Sequence, residues 1–316
     1  MSLQTAKYAA VARGYTQLFR TVLRMQTPFY PQISTIVNSN SNEEAYVGLG
    51  AIPGMKEFLG DRRFEQLRAA DFTIVNRSWE QSLGIDRYDI DDDRYGLYNS
   101  VVAGMAQKAA RHPDILLAEL VIAGESTTCF DGQFFFDTDH SWGDSGTQDN
   151  DLTYNVTTTT DPTPAEWRES FNQAYIAMLG FKDDQGDLFV APSADDMSEL
   201  VAVVPPSMWD SANKAINEAL TSDGSVAVSN VMIKRPRLYV NQHIGANGVT
   251  GGSDAKWYLF YTGGTLQPFV FQNRQPLTTQ TKGANDIEEK LVKLMSEARY
   301  NCGYGMWAHA VLTTLT

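Results

Sequence analysis

The stretch TTCFDGQFFFDTDHSWGD, Thr127 to Asp144, places three consecutive phenylalanines beside a polar cluster of Asp137, Asp139 and His140. Two carboxylates and an imidazole could bind a metal ion or act as acid and base, so the cluster is a candidate site for a metal-dependent hydrolase. In a strand, however, Asp137 and Asp139 share one face and His140 lies on the other. The three side chains could therefore converge only if the strand ends there.

The alternative interpretation of this stretch is structural, and it is the one we favour. Phe134 and Phe136 would face a hydrophobic core, and the polar residues would make hydrogen bonds that close a turn beside an exposed loop. Motif matches this short arise often by chance. We therefore predict no catalytic, cofactor-binding or metal-binding residues, and no cofactor.

Length and composition indicate an ordinary globular protein. The chain has 316 residues, of which 43% are hydrophobic and 20% charged, enough for about two lobes at roughly 150 residues each. No apolar run approaches the roughly 18 residues that span a bilayer, and the first residues lack the apolar core of a signal peptide. We expect a cytoplasmic product with no membrane partner. Cys129 and Cys302 are far apart in sequence and are predicted to be buried, reduced thiols.

Charge is distributed unevenly along the chain. The formal net charge is -13, yet residues 1–42 contain no acid and four basic residues: Lys7, Arg13, Arg20 and Arg24. Apolar residues at three- and four-residue spacing predict an amphipathic helix in this basic arm: Tyr8, Val11, Ala12, Tyr15, Leu18, Phe19, Val22 and Leu23. The basic face could lie on a membrane surface, but we favour packing against an acidic neighbour. Because an acidic body repels phosphates, sequence-specific DNA binding is not predicted.

A hairpin is predicted from Phe72–Val75 and a second strand at Leu83–Ile85. An isolated two-stranded ribbon is marginally stable in water, so it needs a surface to lie on, and another subunit is the natural candidate. The acidic run Asp89–Asp93 follows. A calcium loop would need regularly alternating oxygen ligands and a central glycine, which are missing. We predict instead that Asp91 to Asp93 cap the next helix.

Two helices are predicted between residues 96 and 180. The first should kink or break at Pro113, which removes a backbone hydrogen bond, and should end near Gly124. Residues 143–160 are rich in Asp, Asn, Gly and Thr, which predicts an exposed loop. The second helix starts at a capping box, Thr163 to Glu166, with proline in the first helical position. Its inward residues are predicted to be Trp167, Phe171, Ala174, Tyr175 and Met178.

A second lobe is predicted to start near Leu200. The run LVAVV predicts a buried strand, and the helix after it has its apolar residues at Met208, Ala212, Ile216 and Leu220. Three more strand-like runs follow: VMIKRPRLYV, KWYLFYT and LQPFVFQ. Helices and strands that are segregated in this way indicate an α+β architecture.

Motifs of known enzyme chemistry are missing from the sequence. There is no nucleophile elbow, phosphate-binding loop or zinc-protease motif. The four histidines are scattered at positions His112, His140, His243 and His309. Gly303 and Gly305 do not open a phosphate-binding helix and are predicted to be turn residues.

Eight segments between about residues 50 and 310 resemble, in order, the major head subunit of Mu-like phages. They are GAIPGMKEFLGDR, FTIVNRSWEQSLGIDRYDIDDDRYGLY, AARHPD, TTCFDGQFFFDTDH, VVPPSMWDSA, WYLFYT, LQPFVFQ and EARYNCGYGMW. The resemblance implies the tailed-phage major capsid fold of the Hong Kong 97 type. It also implies a strand over Leu294–Tyr300, although EEKLVKLMSEARYN has a helix-forming composition.

The resemblance implies four regions and a role as a shell protein. The regions are an N-terminal arm at 1–48, an extended hairpin loop region at 49–95, a peripheral lobe with a long spine helix at 96–199, and an axial lobe at 200–316 whose last strands could return to the peripheral lobe. Residues 61–93 would reach across a neighbouring subunit. Subunits would form pentamers and hexamers of an icosahedral virion head around double-stranded DNA, assembled in the bacterial host cytoplasm with scaffold, portal and possibly decoration proteins.

The resemblance carries no catalytic residues, and it leaves two alternatives open. One is an encapsulin-like compartment with the same fold and a protein cargo. The other is the hydrolase built on Asp137, Asp139 and His140. The prototype of the fold joins its subunits by a Lys–Asn isopeptide bond, but here no lysine lies between Lys56 and Lys108. We therefore expect noncovalent contacts or an accessory protein to stabilise the shell.

Overall fold

The computed structural model describes residues 3–46, 72–92, 95–190, 197–218, 220–223, 226–229, 236–283 and 290–316. The helices are α1 (Leu3–Met25), α2 (Arg87–Asp91), α3 (Tyr95–Ala123), α4 (Pro164–Leu179) and α5 (Trp209–Asn217). The strands are β1 (Ser34–Asn38), β2 (Glu43–Tyr46), β3 (Phe72–Val75), β4 (Arg77–Asp86), β5 (His140–Ser141), β6 (Thr147–Gln148), β7 (Asp151–Tyr154), β8 (Leu200–Val204), β9 (Leu220–Asp223), β10 (Val226–Ser229), β11 (Arg237–Val240), β12 (Lys256–Tyr261), β13 (Phe269–Lys282), β14 (Leu291–Tyr304) and β15 (Ala310–Leu315). Within the described part of the chain, no helix is both long enough and apolar enough to cross a bilayer.

The first sheet has the strand order β1-β13-β14-β4. Its centre is the antiparallel pair β13 and β14, which runs from Phe269 opposite Tyr304 to Lys282 opposite Lys293. Every second residue of β14 is buried from Val292 onward. Because a burial period of two belongs to a strand and not to a helix, tertiary packing overrides the helix-forming composition here. The predicted strand over Leu294–Tyr300 is confirmed.

The second sheet has the strand order β11-β8-β12-β15-β7. All residues of β8 are buried, as expected for a strand covered on both faces. The predicted strands LVAVV, KWYLFYT and LQPFVFQ are confirmed as β8, β12 and the start of β13. RLYV forms β11, whereas residues 230–235 of that predicted run lie outside the described residues. The predicted inward position of Leu220 on α5 is wrong, because α5 ends at Asn217 and Leu220 begins β9.

Helix α4 starts as predicted. The Thr163 hydroxyl accepts from the Glu166 backbone N–H, and the Glu166 carboxylate accepts from the Thr163 backbone N–H. The helix buries Trp167 and Phe171 completely, and Trp167 packs against Trp257 of β12 with ring centroids 5.3 Å apart. Residues from both sides of position 200 thus share one hydrophobic cluster. The lobe boundaries themselves stay predictions.

Residues 143–160 do not form the exposed loop that their composition predicts. They contain β6 and β7, and β7 pairs in parallel with β15 at the edge of the second sheet. Asn150 is fully buried. The prediction failed because a buried Asn can satisfy its hydrogen bonds inside a core, which composition does not reveal.

Helix α3 continues through Pro113, so the predicted break is wrong. Proline removes one backbone hydrogen bond. Buried side chains hold the helix on both sides of it, with Val102 and Ala106 before it and Leu117 and Val121 after it. Packing of this kind supplies most of the stability of a helix in a folded protein.

The predicted hairpin between Phe72–Val75 and Leu83–Ile85 is also wrong. Strand β3 pairs with the preceding strand β2, whereas β4 pairs with β14. Only Asn76 separates β3 from β4, which leaves no residues for a reversing turn. The segment 47–71, between the paired strands β2 and β3, lies outside the described residues. Residues 61–93 were predicted to reach across a neighbouring subunit, and part of this range, 61–71 and 93, also lies outside the described residues.

The basic arm forms helix α1, and its predicted apolar stripe is confirmed. Tyr8, Ala12, Tyr15 and Phe19 are buried, and they join a cluster with residues of α3, β4 and β14. The arm therefore packs on the first sheet of its own subunit.

Of the acidic residues predicted to cap α3, Asp91 lies in α2 and Asp93 is outside the described residues, so the capping of α3 stays a prediction. Asp91 instead accepts a hydrogen bond from the Tyr8 hydroxyl at 2.7 Å and forms an ion pair with Lys7 at 3.2 Å. One acidic partner of the arm is thus intramolecular.

Candidate functional site

The stretch Gly124–Asp144, called the signature loop below, is a tight turn followed by the short strand β5. A bridge between Thr128 and Phe134 closes the turn, and Gly132 has a φ of 87°, a conformation that favours glycine. The strand alternation by which Phe134 and Phe136 were both predicted to face the core therefore does not hold here. The predicted inward position of Phe134 is wrong, because Phe134 is 41% exposed, whereas Phe136 is buried as predicted.

The buried phenylalanines of the signature loop fill the junction between the two sheets. Phe135 stacks on Tyr304 of β14 with ring centroids 4.6 Å apart and lies 5.2 Å from Phe269 of β13. Phe136 packs against Tyr258 of β12. Both aromatic rings can point inward because the backbone leaves the turn here and does not alternate as a strand does. The loop therefore joins the two sheets through its side chains.

Asp137, Asp139 and His140 do not form one site. The Asp137 carboxylate accepts hydrogen bonds from the backbone N–H groups of Phe134 and Thr138, which is the predicted turn-closing role. Asp139 is exposed, whereas His140 is fully buried. The geometry that a hydrolase would need from these three residues is not present.

The structure brings a different set together, namely Cys129, Asp131 and His140. The Cys129 thiol donates to Asp131 Oδ1 at 3.0 Å, and His140 Nδ1 lies 2.7 Å from Asp131 Oδ2. The His140 ring also stacks on Trp307, with centroids 4.0 Å apart. Sequence reasoning missed this set; its signal was a cysteine and an aspartate two residues apart in one turn, followed by a histidine.

Burial and hydrogen bonding shift the ionisation of this set. Burial, with the nearby Asp131 carboxylate, raises the pKa of the Cys129 thiol. Burial also acts to raise the pKa of Asp131, but the hydrogen bonds from His140 and Cys129 outweigh it, and the pKa lies below its usual value. The thiol is therefore protonated and the carboxylate ionised at neutral pH.

The remaining cysteine and histidines occupy separate packing positions. Both cysteines are free, and Cys302 is buried in β14, where burial raises its pKa to about 12. His309 lies within 2.8 Å of the Leu266 carbonyl, and burial lowers its pKa to about 4. His112 lies within 2.7 Å of the Tyr300 hydroxyl. Burial lowers the pKa of His243.

The glycines near the C-terminus have different roles. Gly303 lies inside β14, so its prediction as a turn residue is wrong; a Cβ there would lie 2.6 Å from the Ile74 side chain. Gly305 follows the strand, and a Cβ there would lie 2.4 Å from the Gln267 carbonyl oxygen. Position 305 needs glycine because backbone oxygens approach it closely, whereas a side chain at position 303 would require the Ile74 side chain to move.

The joint between the arm and the body is built on Asp114 of α3. Its carboxylate accepts from the backbone N–H of Tyr30 at 2.8 Å and of Phe29 at 3.0 Å. Burial raises the pKa of Asp114 against the effect of these two bonds. Phe29 stacks on Tyr239 of β11, with centroids 3.5 Å apart. The arm is therefore fixed at one point both to α3 and to the second sheet.

Two surfaces present groups that are suited to contacts between subunits. The outer face of α1 exposes the basic side chains Arg13, Arg20 and Arg24, called the arm face below. On α3, Leu97 and Val101 lie one turn apart and are 71% and 47% exposed. Large apolar side chains grouped on a surface are typical of interaction sites.

Solved tailed-phage capsids share this fold. The chain matches a subunit of the mature capsid of bacteriophage PhiM1 with a TM-score of 0.61 and 14% identity, over 92% of this chain and 88% of that one. It matches a subunit of the bacteriophage JBD30 procapsid with a TM-score of 0.55 and 22% identity, over 99% and 76%. The fold is thus the α+β fold of tailed-phage capsid subunits, as predicted.

Sequence comparison narrows this class to one family. The family described as Mu-like prophage major head subunit gpT matches residues 8–168 and 241–316. The chain belongs to this family, which confirms the resemblance seen in the sequence; the family's role is structural.

Two relatives carry related names. The chain is 35% identical over 130 residues to the Mu-like prophage FluMu major head subunit of Haemophilus influenzae, covering 41% of this chain and 42% of that protein. It is 34% identical over 140 residues to the major capsid protein of Escherichia phage Mu, covering 44% and 46%. The chain thus aligns with less than half the length of each relative.

Proposed function

We propose that this chain is the major capsid protein of a Mu-like phage and that it assembles with itself into pentamers and hexamers of an icosahedral head. The observation that carries the proposal is the capsid fold over nearly the whole chain, together with membership of the major head subunit family. The shell encloses double-stranded DNA and is built in the bacterial host cytoplasm. Its role is structural and not enzymatic.

The subunit has the four regions predicted from the sequence. The arm is residues 1–48, the extended loop region 49–95, the peripheral lobe 96–199 and the axial lobe 200–316, with the last strands returning to the peripheral lobe. The parallel pairing of the last strand β15 with β7, which lies in the region 96–199, supports that return. The long α3 serves as the spine of the peripheral lobe.

The charge distribution fits a container for DNA. A net charge of -13 keeps the body from binding phosphates strongly, so that packed DNA is held without being fixed to the wall. The arm face differs from the acidic body, because it exposes Arg13, Arg20 and Arg24. We assign it to docking on an acidic surface of a neighbouring subunit or of a scaffold protein. Scaffold, portal and decoration proteins are the further partners of the shell.

Purification of the full chain, alone or with its scaffold, tests this proposal. Negative-stain electron microscopy should show large closed particles. A monodisperse monomer under all of these conditions would contradict the shell function. DNA inside mature particles separates the phage head from an encapsulin-like compartment, for which a protein cargo is expected instead.

A further inference from the structure

The cluster of Cys129, Asp131 and His140 has the composition of a metal site. One thiol, one carboxylate and one imidazole offer ligand atoms that lie within 4.8 Å of one another. Two of the ligands belong to the same glycine-closed turn, and the third starts strand β5. We propose that these three residues bind a single divalent transition-metal ion of the zinc type, which fixes the turn around Gly132 to β5.

The types of donor atom select the class of ion. Sulfur and nitrogen donors beside a single carboxylate favour Zn²⁺ or Co²⁺, whereas Ca²⁺ and Mg²⁺ require shells made mainly of oxygen. A tetrahedral zinc ion, with bonds of about 2.0–2.3 Å, holds its ligand atoms about 3.3–3.6 Å apart. Before an ion is bound, one ligand atom from each of the three residues already lies within 4.8 Å of the other two. A water molecule can take the fourth position.

Electrostatics also favours a cation at this position. The Asp131 side chain is 1% exposed and the His140 side chain 0% exposed. Among the described residues, no lysine or arginine forms an ion pair with Asp131. A dication with one thiolate and one carboxylate makes a neutral group, which avoids the cost of a buried net charge.

The cluster is held rigidly before an ion binds: Asp131 Oδ1 also accepts from the Gln133 backbone N–H at 3.1 Å, and the His140 ring is held by Trp307. Donors held in this way lose little freedom when an ion binds.

Binding must displace one proton. The Cys129 thiol gives up its proton to solvent as the sulfur–metal bond forms, and the hydrogen bond from the thiol to Asp131 is lost. His140 binds in its neutral form, through one ring nitrogen, with its single proton on the other.

Cobalt substitution tests the site directly. The tag-free full chain is dialysed first against a chelator and then against Co²⁺, and its absorption is recorded. We expect one Co²⁺ per subunit and a sulfur-to-cobalt charge-transfer band in the near ultraviolet. Cys129→Ala should remove the band and Asp131→Asn should weaken binding at least tenfold. Cys302→Ala, which changes the other thiol, should keep the band.

The wild-type measurement alone can overturn the proposal. If the folded wild-type chain takes up neither Zn²⁺ nor Co²⁺ by elemental analysis, the cluster is a hydrogen-bonded turn and not a metal site. A band that persists in Cys129→Ala and is lost in Cys302→Ala would contradict it equally. If Cys129→Ala does not fold, Cys129→Ser takes its place, because serine preserves the polar contact but cannot give a sulfur band.

Discussion

Asn150 holds the signature loop through Phe135: its side-chain Nδ2 donates to the Phe135 carbonyl oxygen at 2.9 Å, and both residues are fully buried. The same amide reaches the carbonyl oxygens of Trp307 and Ala310, and its Oδ1 accepts from the Asp137 backbone N–H. One side chain, placed directly before the edge strand β7, thus connects the loop with the start of the neighbouring strand β15.

Replacement of Asn150 by alanine should destabilise the subunit by about 2–4 kcal/mol, since it leaves several buried backbone groups without partners. Chemical denaturation of the unassembled subunit measures the loss. Asn155→Ala is the control, because Asn155 is exposed and its side chain accepts a hydrogen bond from the Thr316 hydroxyl at the end of the chain; we expect it to change stability by less than about 0.5 kcal/mol. If both variants lose the same unfolding free energy, the hydrogen bonds of the Asn150 side chain contribute little to stability.

Trp167→Ala should cost about 3–5 kcal/mol, the usual range for removing a buried large aromatic side chain. Trp167 is 0% exposed and packs between Phe171 and Trp257. Trp209→Ala is the matched control, because Trp209 is 53% exposed. A fully stable Trp167→Ala subunit would mean that the core face of α4 is assigned wrongly.

The capping box of α4 should make stability depend on acid pH. Hydrogen bonds from Thr157 and from the Thr163 backbone lower the pKa of Glu166 from 4.5 to about 2. A carboxylate with a lowered folded-state pKa contributes stability above pH about 4.5, and this contribution is lost as the pH falls toward about 2. The difference in unfolding free energy between the wild type and Glu166→Gln should therefore shrink over that interval. Parallel curves would contradict the prediction.

Charge reversal on the arm face should impair assembly if the arm docks on an acidic partner. The double change Arg13→Glu with Arg20→Glu should lower particle yield, measured by sedimentation and electron microscopy, most strongly at low salt. Lys108→Glu with Lys182→Glu makes the same change in net charge at exposed positions outside the arm. Unchanged yield in the arm variant, or equal loss in both variants, would count against a specific docking role.

Asp139→Asn should leave folding and assembly unchanged. Asp139 is exposed, and its carboxylate makes no hydrogen bond or ion pair with a described residue that would be lost. Particle yield and thermal unfolding of the variant are the measurements. Loss of a metal-dependent hydrolytic activity in this variant would instead favour the hydrolase and contradict the structural role.

Local signals predicted local structure well. The capping box at Thr163 fixed the start of α4, because its hydrogen bonds lie within four residues. The stripe of α1 was likewise readable, since helix period and burial agree. The partners of β3 and β4 were not readable in this way, because strand pairing joins residues far apart in sequence and neither strand encodes its partner locally.

The candidate site in the signature loop was also predicted only in part, because some of its contacts depend on how the chain folds back. Its composition identified the family, and the turn-closing role of Asp137 was predicted correctly. The meeting of Cys129 with His140 was not predicted, because it depends on the glycine turn at Gly132 that folds the chain back on itself. Strand alternation also predicted that Phe134 faces the core, whereas in the structure Phe134 is exposed and Phe135 is buried.

The pairing of β1 with β13 affects how the chain can fold while it is being synthesised on the ribosome. The Gln267 backbone N–H donates to the Thr35 hydroxyl, 232 positions away in the sequence. Strand β4 likewise pairs with β14, which is synthesised much later. At about 5–20 residues per second, the ribosome needs on the order of tens of seconds to make the missing strands. During that time β1 and β4 of every nascent chain lack their partners and can join strands of other chains. Cells that make many copies at once therefore face an aggregation hazard before the shell begins to form.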